Sequence, residues 1–220
     1  MFIDKSEIEI NEKFLDEGYI ITDVSDIDLL SNIQDFFIKN IKNNFNNLEK
    51  EKNNLDILNG IHNYLEIKNL NNFRLNLINK MNDFKDLRKS YYLIAKNILD
   101  KIVGNELAMQ MRVNLSIQMP NDDSSLLPIH ADTWSGDSPY EVVVWIPLVD
   151  CFDTKSMYIL RPSYIDEFNI AFKDKNVDDS DSLFEFFKDK VEWISIKYGQ
   201  VLIFNQSLPH GNIVNQTKET

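Results

Sequence analysis

His130 and Asp132 enclose a single residue, Ala131, and His210 follows far downstream in Leu208-Pro209-His210-Gly211-Asn212. The chain has 3 histidines in 220 residues, so these two stretches hold all but one of them. On an extended chain, residues i and i+2 point to the same side, so an imidazole and a carboxylate can reach one ion from one strand. An imidazole delivered by a later strand would complete a set of two nitrogens and one oxygen on one face of the metal. That set suits Fe(II) among other divalent ions, and its open opposite face leaves room for oxygen and substrate. An H-x-D triplet also arises by chance, and a lone histidine is more often a packed or surface residue than a ligand. The elements around the triplet therefore decide its meaning.

Those elements change character along the chain. Gly18 to Val24 is β-branched and aromatic, bounded by Gly18 and Ser25-Asp26, and reads as a strand. Ile27, Leu30, Ile33, Phe37 and Ile41 then recur at helical spacing, with Ser25 or Asp26 as the cap. Asn43 to Asn54 is rich in Asn, Lys and Glu and reads as a solvated loop or frayed helix end. Helical patterns resume over Tyr64 to Leu77 and Met81 to Ile102 and stop at Gly104. Beyond it, Met111 to Met119 alternates strictly between apolar and polar residues, the mark of a strand with two unlike faces. Further strands are expected at Glu141 to Leu148, Ser156 to Leu160, Trp193 to Lys197 and Gln200 to Asn205, with a short helix or loop at Asp179 to Lys190. The fold class expected is α+β. Residues 1–105 form a mostly helical N-terminal region with an entry strand near 18–24, residues 106–220 form a β core, and the two make one integrated domain.

Composition bounds the function. Hydrophobic residues make up 43% and charged residues 26%, as in ordinary globular domains. The net charge of −12, from 35 acidic and 23 basic residues, argues against nucleic acid as the main partner. A small anionic substrate remains compatible, since a pocket can be basic on an acidic protein. Cys151 is the lone cysteine, which fits a reducing cytoplasm. Met1 to Ile10 carries Asp4, Glu7 and Glu9 rather than a basic stretch followed by an apolar run, so no signal peptide is expected there. No apolar run is long enough to span a bilayer.

Around the triplet, four stretches occur in order: Pro128-Ile129-His130-Ala131-Asp132-Thr133-Trp134, Val142 to Leu148, Gly199-Gln200-Val201-Leu202-Ile203-Phe204, and Leu208 to Asn212. Together they resemble the Fe(II)/2-oxoglutarate-dependent oxygenases, in particular the phytanoyl-CoA dioxygenase-like group and its small bacterial members from carbohydrate biosynthesis clusters. The resemblance covers residues 108–220 well and 18–41 loosely. It implies a double-stranded β-helix, a jelly-roll or cupin-like barrel, with the helical N-terminal region packed on it. It implies His130, Asp132 and His210 as iron ligands, 2-oxoglutarate and O₂ as co-substrates, and oxidation of a C–H bond in a carbohydrate or sugar-containing small molecule. Asn114 and Gln118, on the polar face of the alternating segment, would contact 2-oxoglutarate. In the family an Arg or Lys after the distal His holds the far carboxylate of that molecule. That residue and the closing strand fall due near Thr220, so Lys218 is the candidate anchor and the barrel is expected to lack its last strand. Arg112 and Trp134 are candidate substrate contacts, Trp134 by stacking on a sugar ring.

Each assignment has a blander counterpart. Arg112, Asn114 and Gln118 could face water, and Trp134 could pack within its loop. His62 reads as a surface residue, Trp145 as core, Cys151 as a small buried hydrophobe, and Asp178, Asp179 and Asp181 as a solvated turn. At the level of the whole chain, two alternatives stand beside the oxygenase: a jelly-roll metal-binding isomerase or epimerase, and a degenerate barrel that binds a ligand without turnover.

Overall fold

The computed structural model of the chain describes residues 4–45, 48, 53–173 and 179–220. Half of the Asn/Lys-rich stretch, and Asp178, lie outside them. Helix α1 (Lys5–Glu17) opens the chain on an Asp4/Glu7 capping box and stops at Gly18, which is left-handed at φ 80°. The helix lies outside the elements expected from periodicity, although Asp-x-x-Glu is a recognisable start signal. Strand β1 (Tyr19–Asp23) and helix α2 (Ile27–Asn44) follow as expected, with the Asp26 carboxylate accepting from the Asp28 and Leu29 amides. Helices α3 (Asn54–Asn59), α4 (Ile67–Asn82) and α5 (Leu87–Ile102) complete the N-terminal region.

The later strands form two small antiparallel sheets. β2 (Val142–Trp145) and β1 flank β5 (Gln200–Asn205), giving the order β1-β5-β2. The second sheet has the order β4-β3-β6, from β3 (Tyr158–Leu160), β4 (Val191–Trp193) and β6 (His210–Gly211). Helices α6 (Ile165–Phe172) and α7 (Ser180–Phe187) sit between β3 and β4, and Asp179 caps α7. From β2 onward the chain passes from the first sheet to the second, back to the first at β5, and to the second again at β6.

β5 explains how the layers hold together. Its side chains alternate between faces: Val201 and Ile203 pack with Ile20, Ala95, Ile98 and Leu99, so α5 covers one side of the first sheet. Leu202 and Phe204 pack with Ile159, Ile194, Ile196 and Leu208 on the other side. Both faces being buried accounts for the apolar run with no polar alternation. The N-terminal region is thereby bound to the C-terminal half, with β1 paired along β5 from Tyr19↔Phe204 to Asp23↔Gln200.

Residues 111–119 depart from expectation. Met111 is exposed, and from Arg112 onward the period of two survives in the burial, with Val113 and Met119 buried and Arg112, Asn114 and Ser116 exposed, yet the segment makes no strand ladder among the described residues. Side chains hold it instead. Asn82 donates to the Val113 carbonyl at 2.9 Å and accepts its amide at 2.8 Å, and Asn215 donates to the Gln118 carbonyl at 3.0 Å. Alternation reports which residues face the core; it does not say whether a neighbouring backbone is there to pair with.

A buried cation ties the C-terminal residues down. The Lys155 side chain is 1% exposed, and its ammonium bonds Asn59 Oδ1 at 2.6 Å and Glu219 Oε2 at 3.0 Å. Thr220 meets the Asn59 carbonyl and His62 Nδ1, both at 2.8 Å. Glu219→Gln leaves a charged donor with neutral partners only. It is expected to lower stability by about 1–3 kcal/mol, towards the lower figure because Glu219 is half exposed. Lys155→Met removes the charge together with its need for a partner and is expected to cost less. Urea midpoints of the two variants check the order, and a worse Lys155→Met would reject it.

Candidate metal centre

Two short backbone connections assemble the centre. His130 and His210 exchange amide-to-carbonyl hydrogen bonds at 2.9 and 2.8 Å, an antiparallel bridge that adds the His130 segment to the edge of the second sheet beside β6. Directly opposed residues project to the same face, which brings the rings to 4.4 Å between centroids. Asp132, on that face two residues on, begins a short 3-10 turn (Asp132–Ser135). Its Oδ1 lies 3.6 Å from His130 Nε2 and 3.9 Å from His210 Nε2. One ligand atom from each residue falls within 4.8 Å of the others.

The imidazoles are oriented for ligation. His130 Nδ1 lies 2.7 Å from the Pro128 carbonyl and His210 Nδ1 lies 2.8 Å from the Leu208 carbonyl. A carbonyl only accepts, so each Nδ1 carries a hydrogen, and in the neutral ring the lone pair is on Nε2. Such a partner on the distal ring nitrogen fixes tautomer and ring angle in metal-binding histidines. Both carbonyls stand two residues before their histidine. Burial pushes the His210 imidazole below its ordinary range, and the neighbouring His130 adds to this; the neutral form that a metal requires is therefore favoured. The His210 ring meets Phe204 edge-on at 5.0 Å. Its side chain is 8% exposed, against 32% for His130 and 28% for Asp132, so the centre is walled on the β5 side and open on the other.

Gly211 and Asn212 keep the bridge in register. A Cβ on Gly211 would stand 2.6 Å from the Tyr158 hydroxyl and 2.7 Å from the Leu127 carbonyl. Asn212 accepts the Leu127 amide through Oδ1 at 2.6 Å and donates its own amide to the Leu127 carbonyl at 2.9 Å. Sequence reading did not single out Gly211 for this role, and nothing in its spacing marks a close approach of chains.

The remaining candidates are dispersed. Trp134 is 45% exposed and stacks on Phe172 at 4.8 Å and Phe168 at 5.9 Å, forming an aromatic ledge with α6 just past Asp132. Gln118 donates to the Ile213 carbonyl at 2.6 Å, which ties it to the stretch following His210. Arg112 donates to Asn79 on α4 at 2.7 Å, Asn114 is exposed, and Lys218 is exposed. Arg161 pairs with Glu192, which also accepts from Tyr19 at 2.5 Å. His62 is engaged with Thr220. Clefts of about 440 and 530 Å³ lie elsewhere, lined by residues including Lys68 and Ser124 in the first and Phe36 and Phe84 in the second.

Compared with known proteins, the chain matches no family model and no curated protein sequence. No helix among the described residues is long and apolar enough to cross a membrane.

Proposed function

We propose that the chain is an Fe(II)- and 2-oxoglutarate-dependent dioxygenase that oxidises a C–H bond of a carbohydrate or sugar-containing small molecule. The observation that carries this reading is the convergence of His130, Asp132 and His210 with both Nε2 lone pairs free and one side open. Two imidazoles and one carboxylate fit Fe(II), and a three-residue set leaves positions for a chelating 2-oxo acid. When bound, iron and 2-oxoglutarate supply the oxidising chemistry, and the protein supplies binding and orientation.

In this reading His130 and His210 bind the ion through Nε2, and the Pro128 and Leu208 carbonyls prevent either ring from turning. Phe204 keeps water from the buried side of His210. Gln118, Asn114 and Lys218 are the proposed contacts to 2-oxoglutarate, and Arg112 and Trp134 those to the substrate. Passage of the chain between two antiparallel sheets, with the triad at a sheet edge, supports a double-stranded β-helix as the framework. A reducing cytoplasm suits both Fe(II) and a lone buried thiol at Cys151. A small molecule is the proposed partner, and the net charge of −12 disfavours nucleic acid.

A second reading, a barrel that binds metal and ligand without turnover, is favoured by one observation: Arg112 is directed to Asn79 on α4 and Lys218 lies exposed. Oxygen-dependent release of succinate from 2-oxoglutarate, screened against nucleotide sugars, separates the two. The oxygenase reading expects release that needs Fe(II) and is lost in His130→Ala. Metal binding with no succinate under any substrate favours the second.

A further inference from the structure

Gln206 directly follows β5 and is 4% exposed. Its backbone carbonyl accepts the Asp132 amide at 3.1 Å. Its side-chain nitrogen donates to the Ser138 carbonyl at 2.7 Å and lies 3.3 Å from Glu141 Oε2. One residue therefore holds both ends of segment 132–141, which starts at the metal carboxylate, carries Trp134 and turns at Gly136 with φ 101°. The two imidazoles are each fixed by a carbonyl on their far nitrogen, whereas the Asp132 carboxylate has those imidazoles as its ionic neighbours at 3.6 and 3.9 Å. Both distances exceed hydrogen-bonding range. The aim of the carboxylate is then set by where its backbone is held.

We propose that Gln206 is a positioning residue of the metal centre, its side-chain amide clamping the far end of segment 132–141 so that Asp132 is presented to the ion. The inference rests on the metal-centre reading above. The amide has two N–H groups and two acceptors to satisfy, which gives the residue type a reason. Leucine at this position would fill similar space and donate to neither. Glutamate would set a carboxylate against the Ser138 carbonyl and the Glu141 carboxylate.

Co(II) titration of the full chain, followed by visible absorption, tests this. Gln206→Leu is expected to weaken binding about 10–100-fold, the usual cost of losing a partner that orients a ligand. Gln206→Glu should weaken it at least as much, with partial recovery when Glu141→Gln is added. Far-UV circular dichroism and melting establish that each variant is folded. Ile98→Val, in the α5 core, serves as a control that lowers the melting temperature without moving the Co(II) Kd. A folded Gln206→Leu with wild-type Kd, or no recovery on adding Glu141→Gln, overturns the inference alone. Absence of Co(II) binding by the wild type overturns the metal-centre reading itself.

Discussion

In the proposed oxygenase, His210→Ala is expected to abolish Fe(II) binding, and with it the weak visible charge-transfer band expected from anaerobic Fe(II) and 2-oxoglutarate. The loss should exceed the roughly 100-fold that marks the upper end for an outer partner, because a donor atom is removed rather than its orientation. His130→Ala should do the same, since the two Nε2 atoms play equivalent parts on either side of Asp132 Oδ1. His62→Ala provides the control. It removes the remaining histidine, which is hydrogen-bonded to Thr220, and should leave the band intact. His210 is buried against Phe204, so the alanine variant also opens a small cavity. Circular dichroism of the metal-free variant shows whether the fold persists. A folded His210→Ala that keeps the band would sink the assignment.

Gly211→Ala is expected to damage both stability and metal binding, although Gly211 touches no ligand atom. The added methyl would meet the Tyr158 hydroxyl at 2.6 Å and the Leu127 carbonyl at 2.7 Å. Forcing atoms into a packed site costs about 1–3 kcal/mol. Here one of the two obstacles is backbone, which cannot rotate away. The strain falls where Asn212 clasps Leu127 and where His130 and His210 exchange hydrogen bonds. Separation of those segments would pull the imidazoles apart. Adding Tyr158→Phe removes the nearest clash and leaves the carbonyl and the ring Cζ at 3.0 Å, so it should restore part of the stability and less of the metal affinity. Urea denaturation and Co(II) titration of the single and double variants read the two effects. Wild-type metal affinity in Gly211→Ala would show that the bridge tolerates displacement.

Much of the frame was readable in the residues. β5 was legible to the residue because an apolar run bounded by Gly199 and Asn205 leaves few alternatives, and α2 because Asp26 precedes a clean helical stripe. α1 carried its signal in Asp4 and Glu7 and was passed over. The strand expected at Trp193 to Lys197 is displaced: β4 is Val191–Trp193, and Ile196 instead makes an isolated bridge to Cys151. Strand ends depend on which neighbour supplies hydrogen bonds, and local pattern carries no record of that neighbour.

The same division runs through the site. The donor types, the i, i+2 placement of His130 and Asp132, and a later strand able to bring a second histidine are all present in the primary structure. These are properties of residue type and spacing. Tertiary structure alone decided that His210 pairs with His130 rather than with another stretch, that the Pro128 and Leu208 carbonyls select the tautomers, and that Gln206 holds the Asp132 loop. It also directed Arg112 to Asn79 on α4. Each of these is a contact between residues distant in the chain or an angle set by backbone pairing, and such contacts exist only once the chain has folded.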